Sequence, residues 1–299
     1  MAKEYTSRSQ FEKKKKSIWK FENVIRTRHL TKSDIREFQK VIYQHYKKNG
    51  RTFPWRETYN PYHILVSEIM LQQTQVERVA GKYTQFITAF PDFSILAKTP
   101  LQKILKVWQG LGYNRRALAL KRIAQTVVIK HNGSLPSSFE ELVKLPGIGN
   151  TTASEILAFT FDIPTVFIET NIRSVFIHFF FRNRRNIRDA EILHLVEKTL
   201  DVSNPRRWYY ALMDYGTTLK KLYQNPNRKS LHYRTQSPFN GSNRQIRGMI
   251  LKILTKKHHS SEMEIMQKLK ILPERVKSNL INLEKEGFII RKGKKITII

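Results

Sequence analysis

An all-helical core followed by a small α+β module is the fold this sequence predicts. Apolar residues recur at three- and four-residue spacings through most of the stretch from Thr31 to Lys221. The connections there are short and marked by Pro, Gly, Asn or Asp. No alternating pattern competes until the last dozen residues. At about 100–200 residues per domain, the 299 residues allow two domains, or two and a small third. The 40% of apolar residues can fill a core.

Taken in order, residues 1–30 read as a basic arm with nine Lys/Arg against three Glu, either a solvated tail or a non-specific phosphate contact. A Thr/Ser cap signal opens a helix over Asp34–Tyr46. Further helices are predicted over Tyr62–Gln72, Val76–Phe90, Leu101–Gln109, Arg115–His131, Phe139–Val143, Thr151–Phe161, Ile172–Phe181, Ala190–Leu200 and Pro205–Leu222. This gives a helical core over 31–221. Residues 222–243 read as a basic linker loop, rich in Asn, Pro, Ser and Gly; the whole stretch 220–257 holds ten Lys/Arg and no acid. From 244 to 299 the pattern changes. It predicts a helix over Arg244–Lys257, a second opened by the capping box Ser261-x-x-Glu264, a third over Pro273–Glu286, and two β runs around a Lys-Gly turn. Three helices and a hairpin resemble a winged-helix module, a form that serves DNA binding and protein packing alike.

Lys and Arg number 54 against 24 Asp and Glu, a net charge of +30. So positive a surface calls for a polyanionic partner: nucleic acid first, an anionic membrane face second. There is no cysteine, which excludes disulfides, thiolate-bound zinc, iron–sulfur clusters and a cysteine nucleophile. The chain's start shows no secretory h-region, and apolar runs such as Val175–Phe179 are far too short to span a membrane.

Three features carry chemistry. Glu68 shares a helical face with Ile64, Leu65 and Leu71, by spacing. A carboxyl on an apolar stripe loses hydration and keeps its proton, so it is able to act as an acid; the plainer reading is a core Glu paired with an Arg. Leu145-Pro146-Gly147-Ile148-Gly149, followed by a helix at Asn150-Thr151-Thr152, presents a tight glycine turn and a helix N-terminus suited to an anion, or else forms an ordinary helical corner. Glu169, between an apolar run and a helix, is an N-cap or an ionised group placed to stabilise a cation. One protonated and one ionised carboxyl are what cleavage of a glycosidic bond requires. In so basic a protein that bond is the N-glycosidic bond of a nucleotide, reached in a duplex by flipping the base out.

Phe53-Pro54-Trp55-Arg56, the run Pro61–Val76 with its Ser67-Glu68 and Gln72-Gln73-Thr74, Trp108–Tyr113 and Leu145–Gly149 together resemble adenine-specific mismatch DNA glycosylases of the helix-hairpin-helix superfamily, which also holds endonuclease III. The resemblance spans about Arg51–Leu219 and implies a two-lobed core with the base bound between the lobes. It implies Glu68 as the acid that protonates adenine at N7, and Glu169 at the place of the second catalytic carboxylate, where the family carries the shorter aspartate. It implies Trp55, Arg56, Gln72, Gln73, Thr74, Tyr113, Thr151 and Asn171 around the base pocket and the gap left in the duplex. Leu145, Gly147, Ile148, Gly149 and Thr152 fall on the phosphate-gripping hairpin. Trp55 and Tyr113 also have a plain packing reading.

The family's four cluster cysteines are missing after Met213-Asp214-Tyr215-Gly216, and its C-terminal domain for recognising 8-oxoguanine is not evident. Bifunctional relatives carry a Schiff-base lysine where this chain has Thr151, so strand cleavage is expected to be weak or absent, Lys144 being the nearest amine. The resulting expectation is a monomeric, monofunctional glycosylase without cofactor or metal. It acts on double-stranded DNA with a mispaired or damaged base, in the nucleoid or the nucleus, and the target expected first is adenine opposite 8-oxoguanine or guanine. The alternatives are a mismatch thymine/uracil glycosylase and a non-catalytic mismatch binder.

Overall fold

The computed structural model describes Phe21 and His29–Ile299; apart from Phe21, His29 and Leu30, the basic arm read over 1–30 lies outside the described residues. The chain divides into two compact units: residues up to Thr52 with Leu157–Thr235, and Phe53–Ile156 with Gln236–Ile299. The chain passes between them three times, once inside the helix Asn150–Phe161.

The first unit contains α1 (Lys32–Asn49), α9 (Thr170–Phe180), α10 (Asp189–Thr199), α11 (Pro205–Leu222) and a 3-10 turn, Pro226–Lys229. Helix α1 opens on a capping box: the Thr31 hydroxyl accepts from Asp34 N, and the Asp34 carboxylate accepts from Thr31 N at 2.9 Å. Helix α11 packs on both α9 and α1. The core between them is aromatic. Phe38 of α1 meets Phe176, Phe179 and Phe180 of α9 and Trp208 of α11, with centroids 5.2–5.8 Å apart in tilted and edge-on pairs. Gly216 allows the closest approach. A Cβ there would lie 2.2 Å from the Asn171 carbonyl oxygen, so only glycine lets α11 pass the start of α9.

The second unit holds α2 (Pro61–Leu71), α3 (Val76–Ala89), α4 (Phe93–Lys98), α5 (Leu101–Trp108), α6 (Arg115–Lys130) and α7 (Phe139–Leu142), and it includes the opening turns of α8 (Asn150–Phe161). Helix α4 escapes sequence reading because six residues give no measurable period; its one signal was Asp92, whose side chain accepts from Ile95 N at 2.7 Å.

The C-terminal module is three helices and a hairpin: α12 (Asn243–Lys256), α13 (Glu262–Leu269), α14 (Pro273–Lys285), then β1 (Ile289–Lys292) antiparallel to β2 (Lys295–Ile298), with Lys292 opposite Lys295 across the Gly293-Lys294 turn. Ser260 extends the hairpin by exchanging backbone bonds with Ile296. The module is bonded to its unit's other helices. Gln102 and Gln109 reach α12, and Glu286 accepts from both Arg115 and Arg247. Against the upward push of burial, those two guanidinium groups hold the Glu286 carboxyl down at about 2.

Candidate functional site

Helix α2 carries the first expected residue. Asn60 caps it through its side-chain oxygen, and Pro61 fits the first turn, where no N–H is needed. The expectation of a single apolar stripe gives way here: Tyr62 and every residue from Ile64 to Met70 are buried, so the helix is wrapped on all sides. Glu68 is 6% exposed within it, and Ser67 turns its hydroxyl back to the Ile64 carbonyl at 2.8 Å.

The C-terminal end of α2 is gripped by one side chain that sequence reading missed. Arg116 of α6 is 7% exposed and donates to the carbonyls of Ile69, Met70 and Gln72 at 2.6–3.1 Å, and to those of Leu111 and Gly112 at 3.1 Å. A cation is favoured at the negative end of a helix dipole, and here it also ties α2 to the Gly110–Tyr113 loop. Burial pushes the guanidinium down to about 10, still charged at neutral pH. Two Arg side by side at 115–116 gave no sign of which one turns inward.

Gln72 continues the link. Its side-chain nitrogen donates to the Gly147 carbonyl at 3.3 Å and to the Thr152 hydroxyl at 3.2 Å, fastening the glycine turn to the end of α2. Leu145 and Ile148 are buried and anchor that turn, while Gly147 takes φ +81° with Ala119 pressed against the place of a Cβ. Gly149 and Thr151 are exposed where α8 opens, and Thr152 is buried. Gln73 and Tyr113 both sit in the left-handed region, at φ +52° and +45°. Non-glycine residues occupy that region rarely and at a cost, so the surroundings hold these two side chains in set directions. Gln73 is exposed; Thr74 turns its hydroxyl to the Gln72 carbonyl. Two guanidinium groups lie over the Tyr113 ring, Arg116 at 5.4 Å and Arg244 at 5.0 Å.

Glu169, in the other unit, is the N-cap of α9. It accepts from Asn171 N and Ile172 N at 2.7 Å each and from the Asn171 side-chain amide at 3.1 Å. Lys220 of α11 donates in turn to the Asn171 side-chain oxygen at 2.9 Å. Burial raises the Glu169 pKa, and the two backbone donors, Lys220 and Arg173 offset this only in part. The sequence reading had the dipole alone keeping it ionised; desolvation is the larger influence. Lys220, itself pulled down by burial, is a second residue that sequence reading missed.

Trp55 is 2% exposed, stacked on Phe53 at 4.8 Å and edge-on to Tyr83 at 5.2 Å. Arg56 lies over the Phe53 ring at 5.3 Å. The stretch after Gly216, where the resemblance would put cluster cysteines, is instead pinned by Asn227, whose amide donates to the Thr170 carbonyl and the Ser174 hydroxyl. Those residues do not fit an iron–sulfur cluster, which needs thiolates. Among the described residues no group of His, Cys, Asp and Glu is placed to hold a metal ion, and no helix is long and apolar enough to cross a membrane.

Residues 66–201 match the family described as HhH-GPD superfamily base excision DNA repair protein. The adenine DNA glycosylase of Buchnera aphidicola subsp. Baizongia pistaciae is 39% identical over 187 residues, 61% of this chain and 52% of that one. A thymine/uracil-DNA glycosylase of Methanothermobacter thermautotrophicus is 28% identical over 185 residues, 61% of this chain and 84% of that one. Among solved structures, a thermostable thymine-DNA glycosylase superposes with a TM-score of 0.57 at 26% identity, covering 65% of this chain and 91% of that one. The chain spans about half the length of the curated adenine DNA glycosylases it matches.

Proposed function

We propose, from the premise that residues 66–201 are an HhH-GPD superfamily segment, that this chain is a monofunctional DNA glycosylase that removes adenine mispaired with 8-oxoguanine or guanine. The observation that carries the reading is a carboxylic acid, Glu68, buried in a wrapped helix whose end is bonded to the Gly147–Thr152 turn. A buried carboxyl group at this place is suited to the role of the acid that a glycosidic leaving group needs.

The steps balance without a cofactor. Glu68 gives its proton to N7 of the flipped adenine. The bond from the sugar to N9 breaks, and its electron pair leaves with the base. Glu169 stabilises the cationic sugar, and water adds to it, giving its proton to the Glu68 carboxylate and so restoring the acid. The turn at Gly147–Gly149 and the N-terminus of α8 grip a backbone phosphate. Gln73 and Tyr113, both held at positive φ, fill the gap in the stack. Thr151 has no amine to form an imine, so the strand stays intact. The partner is duplex DNA with a mispaired base, met as a monomer wherever the cell keeps its DNA.

A thymine/uracil substrate is a second reading, favoured by one observation. This chain spans 84% of the thymine/uracil-DNA glycosylase it matches, against 52% of the adenine enzyme. Single-turnover excision on a panel of mismatched duplexes, with and without alkali, separates the readings. Free adenine from A:8-oxoguanine supports the first, free thymine from G:T the second. Duplex binding with no base released from any substrate overturns both and leaves a binding protein.

A further inference from the structure

The proposed reaction needs Glu169 as an anion, while burial works against its charge. Three donors meet the carboxyl: Asn171 N and Ile172 N at 2.7 Å each, and the Asn171 side-chain amide at 3.1 Å. The first two come with the helix start, where an N-cap side chain accepts from the backbone. The third depends on which way the Asn171 amide is turned. Its nitrogen end donates and its oxygen end only accepts, so the opposite orientation sets a carbonyl oxygen against the carboxylate.

Helix α11 selects the orientation. Gly216 and Lys220 are four residues apart on it and so share one face. At Gly216 the helix passes the Asn171 carbonyl too closely for a side chain. One turn on, Lys220 donates to the Asn171 side-chain oxygen at 2.9 Å. An ammonium has donors and no acceptor, so the oxygen end of the amide faces Lys220 and the nitrogen end faces Glu169. Two influences oppose an ammonium here: it is half-buried, and it lies beside the N-terminus of α9, the positive end of the helix dipole. Burial pulls its pKa down, Glu169 pushes it back up, and Arg173 lowers it again.

The cations that bear on the Glu169 carboxyl are Lys220, from α11, and Arg173, one turn along α9. Helix α10 contributes Asp189, which accepts from Arg173 at 2.7 and 2.8 Å and so gives that guanidinium a carboxylate of its own. The 3-10 turn contributes the neutral Asn227, whose amide donates to the Thr170 carbonyl.

We infer that Lys220 is a positioning residue for this carboxylate: its ammonium turns the Asn171 amide to donate to Glu169, and its charge, one amide away, balances the anion. The inference rests on the reading of Glu169 as the anion of the proposed reaction. Lys220 then favours the ionised carboxyl over the protonated one, against the burial that favours the proton. The stretch after Gly216, which holds no cysteine, thus braces the start of α9 twice, through the charged Lys220 and the uncharged Asn227.

The test compares the full chain with Lys220→Met, Lys220→Arg and Asn227→Ala. Lys220→Met keeps most of the side chain's length and loses its charge, whereas Asn227→Ala removes the uncharged brace. Single-turnover excision is measured across pH on whichever mismatched duplex the parent chain processes. The Glu169 carboxyl is titrated by carbon NMR, with Glu169→Gln identifying its signal. Lys220→Met is expected to move the carboxyl titration and the acid limb of the excision profile to higher pH, leave the alkaline limb in place, and lower the rate on the acid side about tenfold. Lys220→Arg, which keeps the charge, should bring both back towards the parent. Asn227→Ala should lower the melting temperature and leave the limb and the titration where they are. A carboxyl titration that stays in place in Lys220→Met overturns the inference whatever happens to the rate, because a merely structural lysine slows excision without moving the proton. A parent chain that releases no base from any duplex overturns the glycosylase reading instead, and the carboxyl titration still decides the role of Lys220.

Discussion

The Arg244 guanidinium lies 5.0 Å above the Tyr113 ring and donates to its hydroxyl at 2.5 Å, so the first turn of the C-terminal module holds a residue of the helical core. The side-chain amide of Gln236 donates to the same hydroxyl. The same guanidinium lies over the Phe239 ring at 5.5 Å. The side chain of Tyr113, whose backbone sits at positive φ, is thereby held by a segment more than 120 residues away in sequence.

Removing that clamp is expected to loosen Tyr113 without unfolding the unit. Arg244→Ala gives up a cation–π contact and a charged hydrogen bond, together about 1–2 kcal/mol, or roughly five- to thirtyfold in a rate or affinity that depends on Tyr113. Single-turnover excision should fall by that factor while the melting temperature drops by only a few degrees, and Arg244→Lys should restore only part of both. An unchanged rate would show that the module does not act through Tyr113.

Glu68→Gln keeps the shape of the side chain and removes the proton it is proposed to donate. Excision is expected to drop by at least ~10²-fold, the usual contribution of a general acid, with duplex binding largely kept. Retained excision would remove Glu68 from the reaction.

The helical pattern was legible because helices α1 and α6 each bury several residues at regular spacing. The α2 motif stood out through its residue types, although its burial on all sides leaves no stripe to read. What was illegible depends on contacts distant in sequence. Arg116 and Arg244 look like any other surface arginine until the fold brings carbonyls or a tyrosine ring to them. Lys220 gives no sign that it turns toward Asn171, 49 residues earlier. The glycine turn was legible, but its bond to Gln72 was not.

Glu169 has its pKa raised by burial, so the folded state holds a proton that the unfolded chain has already lost. Stability therefore falls as pH rises from the unfolded value, near 4.5, through the raised folded one. Glu169→Gln retains an oxygen to accept from Asn171 and Ile172 and carries no charge to desolvate. Its melting temperature should gain on the parent chain as pH rises across that window, while its excision rate falls. Parallel melting curves at every pH would mean that the carboxyl titrates normally.

His178 works in the opposite sense. Its folded pKa of about 4 lies below the unfolded value near 6.5, so the unfolded state binds the extra proton and stability is lost as pH drops from 6.5 towards 4. The loss is at most about 3 kcal/mol. His178→Phe removes the titrating ring and should flatten that limb of the curve, as read by denaturant midpoints at pH 4.5 and 7.

Gly216 tests how closely α9 and α11 must meet. A methyl group at this position would sit 2.2 Å from the Asn171 carbonyl oxygen and 2.7 Å from its carbon, both backbone atoms that no side-chain rotation can move aside. The substitution Gly216→Ala therefore forces α11 away from the first turn of α9. That turn supplies the two N–H groups on Glu169, and Lys220 on α11 bonds Asn171 within it. Overpacking of this kind costs about 1–3 kcal/mol, against a gain of at most about 1 kcal/mol from alanine's better helix propensity. The net expectation is a lower melting temperature together with a fall in excision larger than the stability loss explains, since the carboxylate is displaced along with its cap. A variant that melts like the parent and excises at the parental rate would show that α9 and α11 can separate without consequence for Glu169.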